Sequence, residues 1–254
     1  MVAPMIDMHN HILRYMIPIH PRVEPDPEVA VLMAQIAEAD GTRIIVSTPH
    51  FREGHMQEDW LPRMREGIAR LNEMLADRGI GVEVVGGGEI QMTETLPDAA
   101  RQGLLPTLGD GRHLLVELPI TSYAAYAEQV LFELALQGYT PVLAHFERLA
   151  SAPTTQFDPQ VMVDRGYKIQ VNCESLLGKR GPEATALARR LIRDDLASCL
   201  GSDAHNADDK PPGMSACCRD VERLGGRGAF ERLAWHSALP IIGRRPPQAL
   251  HRLS

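Results

Sequence analysis

Short apolar runs alternate with longer amphipathic segments along this chain, and that alternation constrains the fold more than any other feature. Two parallel strands need a crossover of a dozen residues or more between them, and each of the intervening segments is long enough to supply one. We therefore predict an α/β fold with a parallel sheet. Seven strands are predicted, at residues 5–9, 43–47, 82–85, 114–118, 141–144, 167–171 and 196–200.

The chain has 254 residues, and no stretch of it has the composition of a linker. This length suits one large domain of barrel or open α/β type. We predict a single domain covering residues 1–254, and the position of the polar residues favours a TIM-like barrel over an open sheet.

Histidines and acids recur at, or just beyond, the carboxyl ends of the predicted strands. Each residue alone has an ordinary explanation, as a turn residue, a surface acid or a hydrogen-bonded core histidine. In a parallel barrel, however, these strand ends share one rim, where active sites are built. The recurring residues are His9, His11, His50, Glu89, Glu117, His145, Asp203 and His205.

The number of these side chains points to more than one metal ion. A single tetrahedral site uses about three or four protein ligands, so eight candidates indicate a cluster of two or three divalent metals. Glu89 or Glu117 would bridge them. Imidazole and carboxylate without thiolate suit manganese, zinc, iron or cobalt, and the sequence does not choose among these four.

The remaining histidines are predicted to have structural or surface roles, because they lie in loops or in the helices near the carboxyl terminus. They are His55, His113, His236 and His251. His20 is left open, since it lies in the loop that follows the first strand.

Composition excludes several other classes of protein. The net charge of −7 at pH 7 gives no basic footprint for nucleic acid. No apolar stretch is long enough to cross a membrane, and the amino terminus does not resemble a signal peptide, so a cytoplasmic location is expected. The four cysteines match no zinc-binding spacing, and none of them lies in a glycine-rich C-x5-R phosphate loop; we expect them to be reduced.

Six motifs in order resemble the polymerase-and-histidinol-phosphatase (PHP) superfamily: DMHNH, TPH, GGGEI, VELP, AHFER and SDAHN. That resemblance implies a distorted seven-stranded barrel with a trinuclear metal site. TPH, ELP and HFER are similar to the bacterial protein-tyrosine phosphatases of capsule and exopolysaccharide assembly. The implied reaction is metal-assisted hydrolysis of a phosphomonoester, on a phosphotyrosine-bearing protein such as a bacterial tyrosine autokinase.

The resemblance also implies how the candidate ligands divide among the metals. One metal would be held by His9, His11 and Asp203 with a bridging acid, a second by Glu89 and His145 with Glu117 close by, and the third by His50 and His205.

Two further residues acquire roles from the resemblance. Arg148 would grip the phosphate, for which a planar guanidinium is well suited. Asp7 would orient a metal-binding histidine through its other ring nitrogen.

The chain departs from the family pattern in two places. Where the family carries an acidic run after HxH, residues 14–22 read RYMIPIHPR. Either His20 substitutes for the missing acids, or the third metal is weak or absent. Where the phosphatases often have an arginine after SDxHN, this chain has Lys210, a poorer bidentate clamp.

Three alternatives follow from the same residues. The first is a small-molecule phosphatase acting on a compound such as histidinol phosphate. The second is a metal-binding regulatory protein whose third site has decayed. A nuclease, as in the polymerase-linked members, conflicts with the acidic net charge. The oligomeric state is left open.

Overall fold

In the part of the chain that the structure describes, nine short strands are all paired in parallel. The computed structural model describes residues 4–18, 24–56, 59–119, 125–151 and 157–245. Within those ranges the strands are β1 Met5–Asn10, β2 Thr42–Ser47, β3 His50–Phe51, β4 Glu83–Gly86, β5 Glu89–Gln91, β6 His113–Glu117, β7 Thr140–Leu143, β8 Lys168–Asn172 and β9 Cys199–Gly201.

The strands form two hydrogen-bonded sheets, in the orders β1-β2-β4 and β3-β5-β6-β7-β8-β9. Every pairing is parallel, so the predicted parallel α/β architecture is confirmed. A parallel bridge between Asn10 and Ala204 also brings the end of β1 beside the chain that follows β9. The two parallel sheets thus lie next to each other at this bridge and form a curved, partly closed layer.

The predicted count of seven strands is not confirmed, because two polar or glycine-rich junctions interrupt the pairing. Thr48 and Pro49 separate β2 from β3, and Gly87 and Gly88 separate β4 from β5. Proline has no N–H for the ladder, and glycine in a strand marks a bend or a close approach. Each junction places the following short strand, with His50 or Glu89 at its start, in the next sheet.

Helices provide the crossovers and the carboxyl-terminal cover, as predicted. In the described residues they are α1 Pro27–Asp40, α2 Trp60–Asp77, α3 Leu96–Arg101, α4 Ala127–Leu136, α5 Pro159–Asp164, α6 Cys173–Leu176, α7 Pro182–Arg193, α8 Cys218–Gly225, α9 Ala229–Glu231 and α10 Ala238–Ile241. Turns of 3-10 helix occur at Ile12–Tyr15, Glu53–His55, Phe146–Ser151 and Ser215–Cys217, and a π-helical turn at Arg232–His236.

Helix α1 shows how local sequence sets these boundaries. The Asp26 carboxylate accepts a hydrogen bond of 3.1 Å from the N–H of Glu28, and Pro27 occupies the first turn. Gly41 ends the helix at φ 103°, a conformation that costs glycine little. Across the ranges that the structure describes, no helix is long and apolar enough to span a membrane.

A large hydrophobic cluster joins the strands to the helices, and a smaller one joins β1, β2, β6 and β7 to the segment around α10. All four cysteines lie in the described ranges and are unpaired there, as expected, and three of them are buried.

The glycines before β5 allow close backbone packing, as the sequence indicated. A Cβ placed on Gly87 would lie 2.9 Å from the Leu108 side chain and 3.1 Å from that of Thr48. A Cβ on Gly88 would overlap the ring of Pro106, which cannot rotate away.

We therefore expect Gly88→Ala to lower the free energy of unfolding by about 1–3 kcal/mol, the usual cost of overpacking. Gly213→Ala is the matched control, because a Cβ there would have no neighbour within 4 Å. Chemical denaturation of the metal-free variants measures both values. Equal stability of the two variants would contradict the packing explanation.

A candidate metal centre at the strand ends

The eight predicted ligands come together on one side of the curved sheet. Their nitrogen and oxygen atoms form overlapping groups in which every donor lies within 4.8 Å of the others. These groups are His9, His11 and Asp203; His9, Glu89 and His145; His11, His50 and His205; and His50, Glu89 and Glu117.

The carboxylate of Glu89 lies at the centre of this cluster and is only 2% exposed. Its Oε1 atom is 2.7 Å from Nε2 of His145 and 3.5 Å from Nε2 of His9. Its Oε2 atom is 2.6 Å from Nδ1 of His50 and 3.5 Å from Nε2 of His11. One buried carboxylate therefore faces four imidazoles.

Asp203 is the second buried carboxylate of the cluster. Its Oδ1 atom lies 3.3 Å from Nε2 of His11, and its Oδ2 atom lies 2.6 Å from Nζ of Lys210. The backbone carbonyl of Asp203 lies 2.9 Å from Nδ1 of His205. Since a carbonyl can only accept, that nitrogen must donate, and the lone pair of His205 is on Nε2.

Burial and neighbouring charges set the protonation of these groups. Burial lowers the pKa of His11 to about 4 and that of His205 to about 3. Burial also opposes the charge of His9, but Glu89 and Asp203 outweigh it and raise the pKa of His9 to about 9. Despite their burial, the carboxyl pKa values of Glu89 and Asp203 lie well below normal, chiefly because of His9. Metals bind ionised acids and neutral imidazoles, so His11, His205 and the two carboxylates are in the metal-binding form, whereas a metal bound to His9 would displace a proton from it.

Three observations test whether these residues fit a divalent metal. The Oε2 atom of Glu89 is buried and accepts no aligned hydrogen bond from the described residues. His145 and Asp203 have positive φ values of 30° and 54°, a strain that folds retain mainly at functional sites. The donors are imidazole nitrogens and carboxylate oxygens. The residues fit such a group.

Asp7 does not have the role expected of it. Its carboxylate accepts hydrogen bonds from N–H and Oγ of Ser202, at 2.8 and 2.6 Å, from Nδ2 of Asn10 at 2.9 Å, and from N–H of His9 at 3.3 Å. The ring nitrogen Nδ1 of His9 instead contacts Gln170. Asp7 therefore ties the backbone of β1 to the segment after β9 and does not orient an imidazole. Burial raises its pKa.

Arg148 lies beside the cluster, as the sequence suggested. It belongs to the 3-10 turn Phe146–Ser151 that follows β7, and it is half-buried. Its Nη1 atom is 3.2 Å from Nε2 of His145. The guanidinium is thus positioned to meet an anion bound at the metal centre.

Sequence reasoning missed the polar residues of β8, the one predicted strand without a candidate ligand. Gln170 and Asn172 are fully buried and contact His9 and Asp203. Their signal was an amide side chain within an apolar run, which requires buried partners.

The structure covers only part of the loop that departs from the family pattern. Residues 14–18 are described and begin within the 3-10 turn Ile12–Tyr15. His20 lies outside the described residues.

Comparisons with known proteins agree with this geometry. A family model described as "Capsular polysaccharide synthesis, CpsB/CapC" matches residues 5–243. The chain is 31% identical to the tyrosine-protein phosphatase YwqE of Bacillus subtilis (strain 168) over 256 residues, covering 98% of this chain and 97% of that protein. It is 27% identical to the tyrosine-protein phosphatase CpsB of Streptococcus pneumoniae over 215 residues, covering 83% and 86%.

Solved structures give the same result. One from a study of YwqE from Bacillus subtilis and CpsB from Streptococcus pneumoniae, described as unique metal-dependent tyrosine phosphatases, superposes with a TM-score of 0.81 at 28% identity, covering 95% of this chain and 96% of that one. A TatD-family hydrolase from Entamoeba histolytica, at 10% identity and a TM-score of 0.55, covers 95% and 99% and shows a shared fold alone.

The contacts of Asp7 predict a stability effect separate from metal binding. In Asp7→Asn, the new amide faces buried donors and leaves at least one without an acceptor, which costs about 1–3 kcal/mol. Urea denaturation of the metal-free protein measures the loss. Asp158→Asn is the control, because Asp158 caps α5 through N–H of Gln160 and asparagine caps helices equally well. Two unchanged midpoints would show that Asp7 has no such role.

Proposed function

This chain belongs to the CpsB/CapC family of capsular polysaccharide synthesis, and we propose that it is a metal-dependent protein-tyrosine phosphatase. The observation that carries the proposal is the buried cluster of imidazoles and carboxylates with an arginine at its edge. The proposal includes a single PHP-type domain over residues 1–254, a distorted barrel in which β2 with β3 and β4 with β5 each act as one strand, and a cytoplasmic location.

We assign the metals to the observed groups of donors. His9, His11 and Asp203 would hold one ion, and Glu89 with His145 a second. Glu89 is the better bridging ligand, because it faces four imidazoles, whereas the 28% exposed Glu117 lies 3.6 Å from His145 at the rim.

The third ion would be held by His50 and His205, which share a group with His11. Manganese, zinc, iron and cobalt all suit these donors, and two or three ions would be bound.

The metals, when bound, would polarise the phosphoryl oxygens and make water a stronger nucleophile at neutral pH. Arg148 would bind two phosphate oxygens through its planar fork and stabilise the charge that develops on them. Nη1 of Arg148 lies 3.2 Å from Nε2 of His145, which places the guanidinium next to the proposed metal centre.

The accessible side of the cluster suits a substrate carried on a protein. His50 and His205 have side chains exposed by 32% and 26%, whereas His9 and Glu89 are almost completely buried. A phosphotyrosine projecting from a protein surface, such as that of a bacterial tyrosine autokinase, would reach the exposed edge. A small phosphoester such as histidinol phosphate would also reach it and is the second candidate.

Removing a ligand or the arginine should abolish or impair hydrolysis. With manganese and a chromogenic phosphoester, we expect no activity from His9→Ala and a fall of about 10²–10³ in kcat from Arg148→Ala, as for the loss of an oxyanion donor. His236→Ala and Arg190→Ala, at exposed side chains that pair with Glu231 and Asp194, are matched controls and should retain activity. Inactivity of the wild type with every metal would favour the regulatory alternative.

The number of bound metal ions shows whether the third metal site, at His50 and His205, is occupied. We expect at least two divalent ions per chain by elemental analysis of purified protein. Three ions would mean that the departure at residues 14–22 is compensated, and two would mean a real loss. One ion or none would contradict the assignment.

Substrate preference distinguishes the two phosphatase candidates. We expect a higher kcat/KM for a phosphotyrosyl peptide than for histidinol phosphate, because the exposed edge of the cluster can be reached by a phosphate group that projects from a protein surface. The reverse preference would favour the small-molecule phosphatase.

A further inference from the structure

A chain of buried amide hydrogen bonds runs from β8 to three of the candidate ligands. Oε1 of Gln170 is 2.8 Å from the backbone N–H of His145 and 3.1 Å from Nδ1 of His9. Nε2 of Gln170 is 2.9 Å from Oδ1 of Asn172, and Nδ2 of Asn172 is 2.9 Å from Oδ2 of Asp203. Both amide side chains are fully buried.

The two ends of this chain fix its direction. The backbone N–H of His145 can only donate, so the Gln170 atom that faces it is the oxygen. At the other end the carboxylate of Asp203 accepts, so the Asn172 atom that faces it is the nitrogen. The contact between the two amides agrees with both assignments.

The same direction determines the tautomer of His9. Because Oε1 of Gln170 can only accept, Nδ1 of His9 must donate to it. The metal-binding lone pair is then on Nε2, the atom that lies 3.2 Å from Nε2 of His11 and 3.5 Å from Oε1 of Glu89.

Neighbouring strands provide the room that these contacts need. Gln170 and Asn172 are two residues apart on β8, so their side chains share one face of the strand. On the adjacent strand β9, a Cβ at Gly201 would lie 2.7 Å from Cβ of His9 and 2.9 Å from Nε2 of Gln170. The glycine therefore leaves room for the side chains of His9 and Gln170 to meet across β9.

We propose that Gln170 and Asn172 are positioning residues of the metal centre, which hold His9 in its Nδ1–H tautomer and hold Asp203 toward the cluster. The inference rests on the proposed metal site, and no phosphatase activity is needed to test it. Partners that orient metal ligands typically affect metal affinity by about 10- to 100-fold.

Zinc affinity, measured by competition with a chromogenic chelator, tests the role of Gln170. Gln170→Met keeps the length of the side chain but removes the acceptor, and we expect its zinc affinity to fall by about 10- to 100-fold. Gln170→Glu keeps an acceptor for Nδ1 of His9 but loses the donor to Asn172, so we expect its zinc affinity to fall less than that of Gln170→Met. Equal affinities of wild type and Gln170→Met would overturn the proposal.

A matched pair of asparagine variants separates positioning from stability. Asn172→Leu removes the donor to Asp203, whereas Asn72→Leu removes a half-buried amide of α2 whose hydrogen bonds to described residues are those with the backbone of Val84. We expect both to lower the thermal midpoint of the metal-free protein and only Asn172→Leu to weaken zinc binding. Equal zinc affinity in the two variants would overturn the role of Asn172.

The wild type alone gives a test that does not depend on whether variants fold. In ¹H–¹⁵N spectra of the zinc-bound protein, with the ring of His9 assigned by through-bond correlation, we expect a proton on Nδ1 and zinc on Nε2. The reversed tautomer, or no zinc binding, would overturn the proposal. Zinc binding without phosphatase activity would instead overturn the proposed function and leave this inference intact.

Discussion

The buried carboxylate of Glu89 is the constraint on which the site depends. A carboxylate at 2% exposure is costly to desolvate unless cations or donors compensate its charge. Four imidazoles surround it, and they differ in charge: the pKa of His11 is lowered to about 4, whereas that of His9 is raised to about 9 by Glu89 and Asp203. A metal cation bound at Nε2 of His9 would replace the proton there and compensate the same two carboxylates, so the donor set suits metals.

The fold brings these metal-ligand candidates together because the carboxyl ends of parallel strands lie on the same side of the sheet. The junctions at Thr48 and Pro49 and at Gly87 and Gly88 matter most, since each one starts a new short strand with His50 or Glu89 at its first residue. In the register, His50 pairs with Glu89. The interruptions of the backbone hydrogen bonding therefore place His50 and the central carboxylate of Glu89 side by side. The site depends on these interruptions.

The sequence predicted the parallel architecture and all eight members of the cluster, because strand ends can be located from apolar runs and His, Asp and Glu are recognisable metal ligands. It did not predict β3 and β5, since strands of two and three residues have no measurable periodicity. Asp7 was assigned the wrong contact, because the family resemblance implies a role for the residue but does not show which atoms it meets in this chain. Gln170 was missed because its role depends on strands that are distant in sequence.

Position 210 holds a lysine where the related phosphatases often have an arginine, and this lysine contacts carboxylates of the chain itself. Nζ of Lys210 lies 2.6 Å from Oδ2 of Asp203 and 3.6 Å from Oε1 of Glu174, so two carboxylates hold the ammonium. The same Oδ2 atom accepts from Asn172, which leaves Oδ1 as the oxygen of Asp203 that faces the histidines. A lysine engaged in this way orients a ligand and has little freedom to clamp phosphate. In the proposed phosphatase, bidentate binding of the phosphate would then depend on Arg148, whose guanidinium lies at the edge of the cluster.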